Sequence, residues 1–263
     1  MSFQTLSLAI DGGVAHITLD RPKNANTIDP PLAAELRSAA ERLHADESVR
    51  AVLLSGNGPM FCAGGDLGAF AEFGDEIPKR LGAMIEDFHA AVETLSAMDA
   101  PLVVAAHGNV MGAGLSMVAS ASLAVAAEGT RFGMAYTGAG LTPDGSSTYH
   151  LPRIIGLRRA EELMLTNRIL TAEEAEKWGI VNQVVPESEL LPKARKLADR
   201  LAQGPTRAFG RVRKLLLASS AQDLRGQLGL EAEQMTASAG GIDGREGIAA
   251  FVGKRAPAFS GRD

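Results

Sequence analysis

The stretch "LTPDGSSTYHLPR", residues 141–153, holds one carboxylate, Asp144, between a proline and a glycine, with Ser146, Ser147, Thr148 and Tyr149 close behind it. A carboxylate so placed either caps a turn, a position aspartate favours, or moves a proton on a bound substrate. At its ordinary pKa of about 3.9 an aspartate is a weak base, and apolar walls would strengthen it. Two further stretches offer chemistry from the backbone. "FCAGGDL" (61–67) and "HGNVMGAGLS" (107–116) each read as a glycine turn at the start of a helix. Unpaired N–H groups and the positive end of the helix dipole gather at such a turn, so it can receive an oxygen that carries negative charge. One donor from each turn would make an oxyanion hole, and losing one such donor typically costs about 2.7–4 kcal/mol of transition-state stabilisation. The alternative is that each glycine only lets a strand and a helix pack closely.

Other chemistries fit less well. Neither turn ends in Lys followed by Ser or Thr, and neither carries G-x-G-x-x-G with a later acidic residue, so a phosphate-binding loop is set aside. Ser116, His107 and His150 lie near these motifs, but Ser116 is not in a G-x-S-x-G elbow. His107 reads as a residue with a structural hydrogen bond. The single cysteine, Cys62, cannot form an internal disulfide, and no Cys/His cluster has metal-ligand spacing. A net charge of -5 supplies no overall basic field for nucleic acid or an anionic membrane. The N-terminus has no leader-like pattern, and no apolar run is long enough to span a bilayer. A cytoplasmic protein without nucleic-acid or membrane partners is expected.

The elements that must position these residues follow from hydrophobic patterning. At 263 residues and 46% hydrophobic, the chain can bury a large core. "LSLAI" and "VAHITLD" flank "DGG", which predicts a β-hairpin. From Pro31, Leu32, Leu36, Ala39 and Leu43 share one helical face. "VRAVLLSG" (49–56) and "PLVVAAHG" (101–108) are buried-strand runs, each leading to one of the glycine turns, and residues 123–134 begin like a third such unit. After Asp144 the pattern is mainly helical, with "LRRAEELMLT", "TAEEAEKWG", "SELLPKARKLADRLAQG", "PTRAFGRVRKLLLASS" and residues 222–239 as helices. "IVNQVV" (180–185) interrupts them as a short strand.

"ITLDRPKNANTI" (17–28), "FCAGGDL", "AAHGNVMGAGLSM" (105–117), "TRFGMAYTGAGLTPDGSSTYHLPRIIG" (130–156) and "AEEAEKWGIVNQVVPESEL" (172–190) occur in the order and spacing of one family. The sequence resembles the enoyl-CoA hydratase/isomerase, or crotonase, superfamily over nearly its whole length. The resemblance implies an α/β spiral of repeated strand-strand-helix turns over residues 1–200 and a helical C-terminal trimerisation region over 201–263. It implies that the backbone N–H groups of Gly65 and Ala113 hold the thioester oxygen of an acyl-CoA. Ala113 stands where relatives commonly have glycine, which a main-chain donor tolerates. Lys23, Ala25, Ala63, Gly64, Asp66, Leu67 and Gly112 match the strip along CoA, although Asp66 equally suits a helix cap. Lys254, with Arg255, matches a terminal segment that approaches the CoA phosphates, often across a subunit boundary; a solvated tail is the alternative.

Hydratases of this superfamily use two glutamates, and their positions fall here on Ser116 and Tyr136. Asp144 matches the acidic residue that moves a proton along the acyl chain in the enoyl-CoA isomerases and the related phenylacetate-pathway isomerases. The resemblance therefore implies a double-bond shift, with Tyr136 beside the substrate and Phe61, Leu115, Met117, Met134 and Leu141 as candidate walls. Ring isomerisation of 1,2-epoxyphenylacetyl-CoA, atypical hydration, and a catalytically silent acyl-CoA-binding or RNA-binding module are the alternatives. No cofactor is expected, since CoA is part of the substrate. Homotrimers, commonly paired into hexamers, are the implied assembly.

Overall fold

The glycines of "DGG" turn the chain between β1 (Leu6–Asp11) and β2 (Val14–Leu19), which pair antiparallel as the hairpin pattern predicts. The structure is a computed structural model and describes residues 3–262. Asp29 caps α1 (Pro30–Ala45) by accepting the Leu32 N–H at 3.0 Å, and Leu32, Leu36, Ala39 and Leu43 face the core. β3 (Ala51–Gly56), β4 (Leu102–Ala106), β6 (Leu123–Ala127) and β9 (Gln183–Val185) then extend β2 as a parallel sheet in the order β1-β2-β3-β4-β6-β9.

Both faces of the central strands β3, β4 and β6 are buried, which is why these read as apolar runs. The register aligns Ile17, Leu54, Val104 and Ala124 in one row, all on the face that carries the larger core. α1, α3 (Ile77–Ala97) and α4 (Ala113–Ser120) cover that face. The other face presents Val14, Leu53, Val103 and Val125 to α8 (Glu187–Ala202), whose Leu190, Ala194, Ala198 and Ala202 recur with helical period.

A second, smaller sheet supplies the other strand of each turn. β5 (Asn109–Met111) pairs parallel with β7 (Arg131–Gly133), and β7 pairs antiparallel with β8 (Leu170–Thr171). Cys62 bridges to Val110, and Val110 is in register with Phe132, so one fully buried row stitches three successive turns together. The fold is thus the α/β strand-strand-helix spiral that the resemblance implies. The sequence reading ran the second strand through Gly108, whereas β4 ends at Ala106 and β5 belongs to the other sheet. Strands of two or three residues are too short to show a period.

The remaining helices follow the chain. The short α2 (Leu67–Ala71) comes after the first glycine turn. α5 (Ser147–Ile155), α6 (Leu157–Thr166), α7 (Ala172–Trp178), α9 (Thr206–Ala218), α10 (Leu224–Gly240) and α11 (Ile242–Val252) form the later, helical part. Neither α3 nor α11 was read as a helix from pattern. Among the described residues, no helix is long and apolar enough to cross a membrane.

Candidate active site

The two glycine turns meet. Gly64, with φ +102°, precedes Gly65, and Gly112, with φ +50° and ψ -118°, precedes Ala113. A Cβ on Gly64 would lie 3.2 Å from the Met111 carbonyl, and one on Gly112 would lie 3.4 Å from the Gly64 Cα, so the backbones are packed against each other. The backbone ladder then aims the donors. Ile28 N–H donates to the Gly64 carbonyl at 2.8 Å, and Asp66 N–H donates to the Ile28 carbonyl at 2.9 Å. The Gly64 carbonyl and the Asp66 N–H are therefore spent on Ile28, and the trans peptide turns the Gly65 N–H away from the Gly64 carbonyl to the opposite side. Ala113 is the first residue of α4, so its N–H has no acceptor within the helix and lies at the positive end of the helix dipole. Neither N–H has an acceptor among the described residues.

Gly65, Ala113, Tyr136 and Asp144 line one cavity of about 180 Å³. Its walls are Ile28, Phe70, Leu81, Met84, Ile85, Phe88 and Leu141, and Asp144 is the one carboxylate in the lining. Most of these walls come from α2 and α3, over residues 69–85, which the sequence could not place. Of the expected walls, only Leu141 and Tyr136 are present. Phe61, Leu115, Met117 and Met134 are instead sealed in the core.

Asp144 sits before α5 and its backbone is pinned. Its carbonyl accepts from the Ser116 hydroxyl at 2.8 Å and the Ser147 hydroxyl at 2.9 Å. Ser116, fully buried on α4, thus ties the carboxylate loop to the same helix whose first N–H faces the cavity. The Asp144 side chain is 24% exposed, and its Oδ1 meets Nε2 of His89 from α3. His89 was missed: nothing in "EDFHAAV" marks it, and 55 residues separate the pair. Burial pushes the Tyr136 phenol well above its ordinary pKa; the neighbouring Ser116 hydroxyl opposes the rise, and the Asp144 carboxylate adds to it. The Tyr136 hydroxyl has no hydrogen-bond partner among the described residues. No serine triad forms, because the Ser116 hydroxyl is directed at the carbonyls of Gly112 and Asp144. His107 bonds the Gly58 carbonyl at 2.9 Å, a structural contact.

The residues matched to the CoA strip lie along the first turn. Ala63 N–H donates to the Ala25 carbonyl at 3.0 Å, Gly64 is buried between them and Gly112, and Lys23 and Leu67 are exposed at the edge. Asp66 caps α2 by accepting the Ala69 N–H at 3.1 Å, and it also accepts from Thr27 Oγ1 at 2.9 Å and Arg21 at 3.3 Å. Burial alone would raise its pKa, but those three donors outweigh it and hold the carboxyl below its ordinary range. Arg21 also pairs with Asp29 at 2.7 Å, so one guanidinium joins the caps of α1 and α2. Lys254 follows α11 on an exposed tail, with φ +51°, and does not line the cavity. Among the described residues, no group of three His, Cys, Asp or Glu side chains could hold a metal ion.

The strand-strand-helix spiral thus brings the Gly65 and Ala113 turns and one carboxylate, Asp144, to the lining of one cavity with largely apolar walls. The chain belongs to the enoyl-CoA hydratase/isomerase family, whose model matches residues 9–262. It is 35% identical over 262 residues to the "Probable enoyl-CoA hydratase" of Rhodobacter capsulatus, covering all of both chains. It is 34% identical over 254 residues to the 1,2-epoxyphenylacetyl-CoA isomerase of Escherichia coli, covering 96% of this chain and 97% of that one. The crystal structure of an enoyl-CoA hydratase from Polaromonas sp. JS666 matches with a TM-score of 0.91 at 29% identity, covering 97% of this chain and 99% of that one.

Proposed function

We propose that this enzyme shifts a double bond in an enoyl-CoA. The observation that carries the reading is the single carboxylate, Asp144, facing the Gly65 and Ala113 donors across an apolar cavity. The two N–H groups receive the thioester oxygen, and Asp144 removes the α-proton of a β,γ-unsaturated substrate. The electron pair delocalises into a dienolate, whose oxyanion the donors stabilise. Asp144 then returns a proton to the γ-carbon, so one acid/base group serves both steps. Hydration would need a second group to position water, and Ser116 and Tyr136 stand where that group is expected. The Ser116 hydroxyl is already directed at Asp144.

Isomerisation of an aromatic epoxide carried on CoA is the second reading. It is favoured by the aromatic walls Phe70 and Phe88 and by the relative that bears that name. CoA itself would run along Lys23, Ala25, Ala63 and Leu67, and Lys254 would meet its phosphates in its own or a neighbouring subunit. A homotrimer or hexamer is supported by Leu216, Leu228, Met235, Phe251 and Val252, which α9–α11 leave exposed. No cofactor enters this scheme, and the location we infer is the cytoplasm. The test is to incubate the protein with a β,γ-enoyl-CoA and analyse the product by mass spectrometry and NMR. A product of unchanged mass with the double bond at the α,β position is expected. A product heavier by one water, or turnover confined to the ring epoxide, would overturn the first reading.

A further inference from the structure

His89 and Asp144 form the wall between two compartments. Asp144 lines the acyl cavity and His89 does not; His89 lines a second cavity, of about 620 Å³, and Asp144 does not. The side chains touch through His89 Nε2 and Asp144 Oδ1. His89 is 50% exposed on its far side. The second cavity is lined in part by polar side chains, among them Glu93, one helical turn along α3 from His89. Ser96, two helical turns along α3 from His89, belongs to the lining through its other atoms, its hydroxyl being buried without a partner among the described residues. Ser146 and His150, bonded to each other at 3.0 Å, form another part of the lining. The volume is ample for several water molecules.

We infer that His89 is a proton-relay residue, which exchanges the proton on Asp144 with solvent through the second cavity. The inference rests on the isomerase reading and deepens it. After Asp144 takes the α-proton, it is a neutral acid. It passes that proton to Nε2 of neutral His89, leaving a carboxylate beside an imidazolium. The imidazolium gives its Nε2 proton to water of the second cavity when the ring swings off Asp144, takes a solvent proton at that nitrogen and returns it to Asp144, which delivers it to the γ-carbon. No charge or atom is gained or lost over the cycle. The hydrogen that reaches the γ-carbon is then drawn from solvent, although the acyl cavity itself is walled by apolar side chains. Among the described residues the His89 ring hydrogen-bonds to Asp144 alone, and His89 does not line the acyl cavity, so it acts through that group and not on the substrate.

The test reads where the hydrogen comes from, independently of rate. A β,γ-enoyl-CoA is turned over briefly in deuterated water, and the deuterium at the product γ-carbon is measured by NMR. The wild-type product is expected to carry solvent deuterium. H89Q keeps an amide N–H toward Asp144 but cannot relay a proton, and its product is expected to lose solvent deuterium several-fold in favour of hydrogen kept from the substrate. A97L places a larger side chain in the second cavity from an exposed lining position two helical turns from His89 and is expected to act in the same direction. Folding of both variants is checked by circular dichroism, and A97L decides if H89Q does not turn over. Wild-type deuterium content in either active variant overturns the relay and leaves His89 a support for Asp144. An absence of double-bond shift in the wild type overturns the isomerase reading, and the relay falls with it.

Discussion

Gly112→Ala tests the backbone origin of the oxyanion site. Gly112 has φ +50° and ψ -118°, a conformation that L side chains rarely adopt. The added Cβ meets nothing closer than the Gly64 Cα at 3.4 Å, so the penalty is conformational and not a clash. Holding a non-glycine residue in such a region costs on the order of 1–3 kcal/mol. The chain can bear that cost, and urea unfolding would show the loss. It can also relax by rotating the peptide between residues 112 and 113. That peptide carries the Ala113 N–H, and its carbonyl accepts the Ser116 N–H at 3.0 Å. Rotation would turn the donor away from the cavity and lower kcat by about 10²–10³-fold, the usual effect of losing one oxyanion donor. Unfolding curves and steady-state kinetics on one preparation separate the two responses. A variant with wild-type stability and wild-type kcat would refute both the strained turn and the donor role of Ala113.

Three further outcomes follow from the geometry. Asp66→Ala removes the cap of α2 and should lower stability by about 0.5–2 kcal/mol in urea while leaving acyl-CoA affinity unchanged; weakened affinity with intact stability would return Asp66 to the CoA strip. Cys62 is fully buried, and burial pushes its thiol up to about 12, so native protein should resist thiol reagents at pH 8 and release one reactive thiol on denaturation. Arg255, hydrogen-bonded to Glu246, and the Ala258 N–H hold the Glu246 carboxyl at about 2 against an ordinary value of 4.5. A depressed carboxylate stabilises the fold above its unfolded pKa, and that contribution fades as pH falls from about 4.5 toward 2. In Arg255→Gln the carboxyl ¹³C titration should move back up, and an unmoved titration would exclude the pair as the cause.

Elements with a full period were legible in the sequence. The hairpin, α1 and the strands of the large parallel sheet carry either alternation, helical spacing or a continuous apolar run, each of which reports burial directly. The glycine turns were legible because a positive φ leaves few alternatives to glycine. The small sheet of β5, β7 and β8 was not, since each strand shows at most two side chains to either face. Residues 69–85 mix a short helix, a 3-10 turn and the start of α3, so no single period runs through them. They supply the cavity walls even so. His89 was hidden for a different reason: its meaning lies wholly in a contact with Asp144, made when α3 packs beside the loop before α5. Ser116 was visible as the absence of a glutamate, but its bond to the Asp144 carbonyl exists only in three dimensions.

The central claim is that Asp144 is the group that takes the proton from the substrate and returns one to it. The most direct measurement compares wild type with Asp144→Asn on a β,γ-enoyl-CoA, with turnover followed by NMR and acyl-CoA binding by calorimetry. Asparagine keeps the shape and cannot take a proton, so turnover should fall by at least the roughly 10²–10⁴-fold typical of a lost general base while binding stays close to wild type. Turnover in Asp144→Asn within a few-fold of wild type would contradict the account.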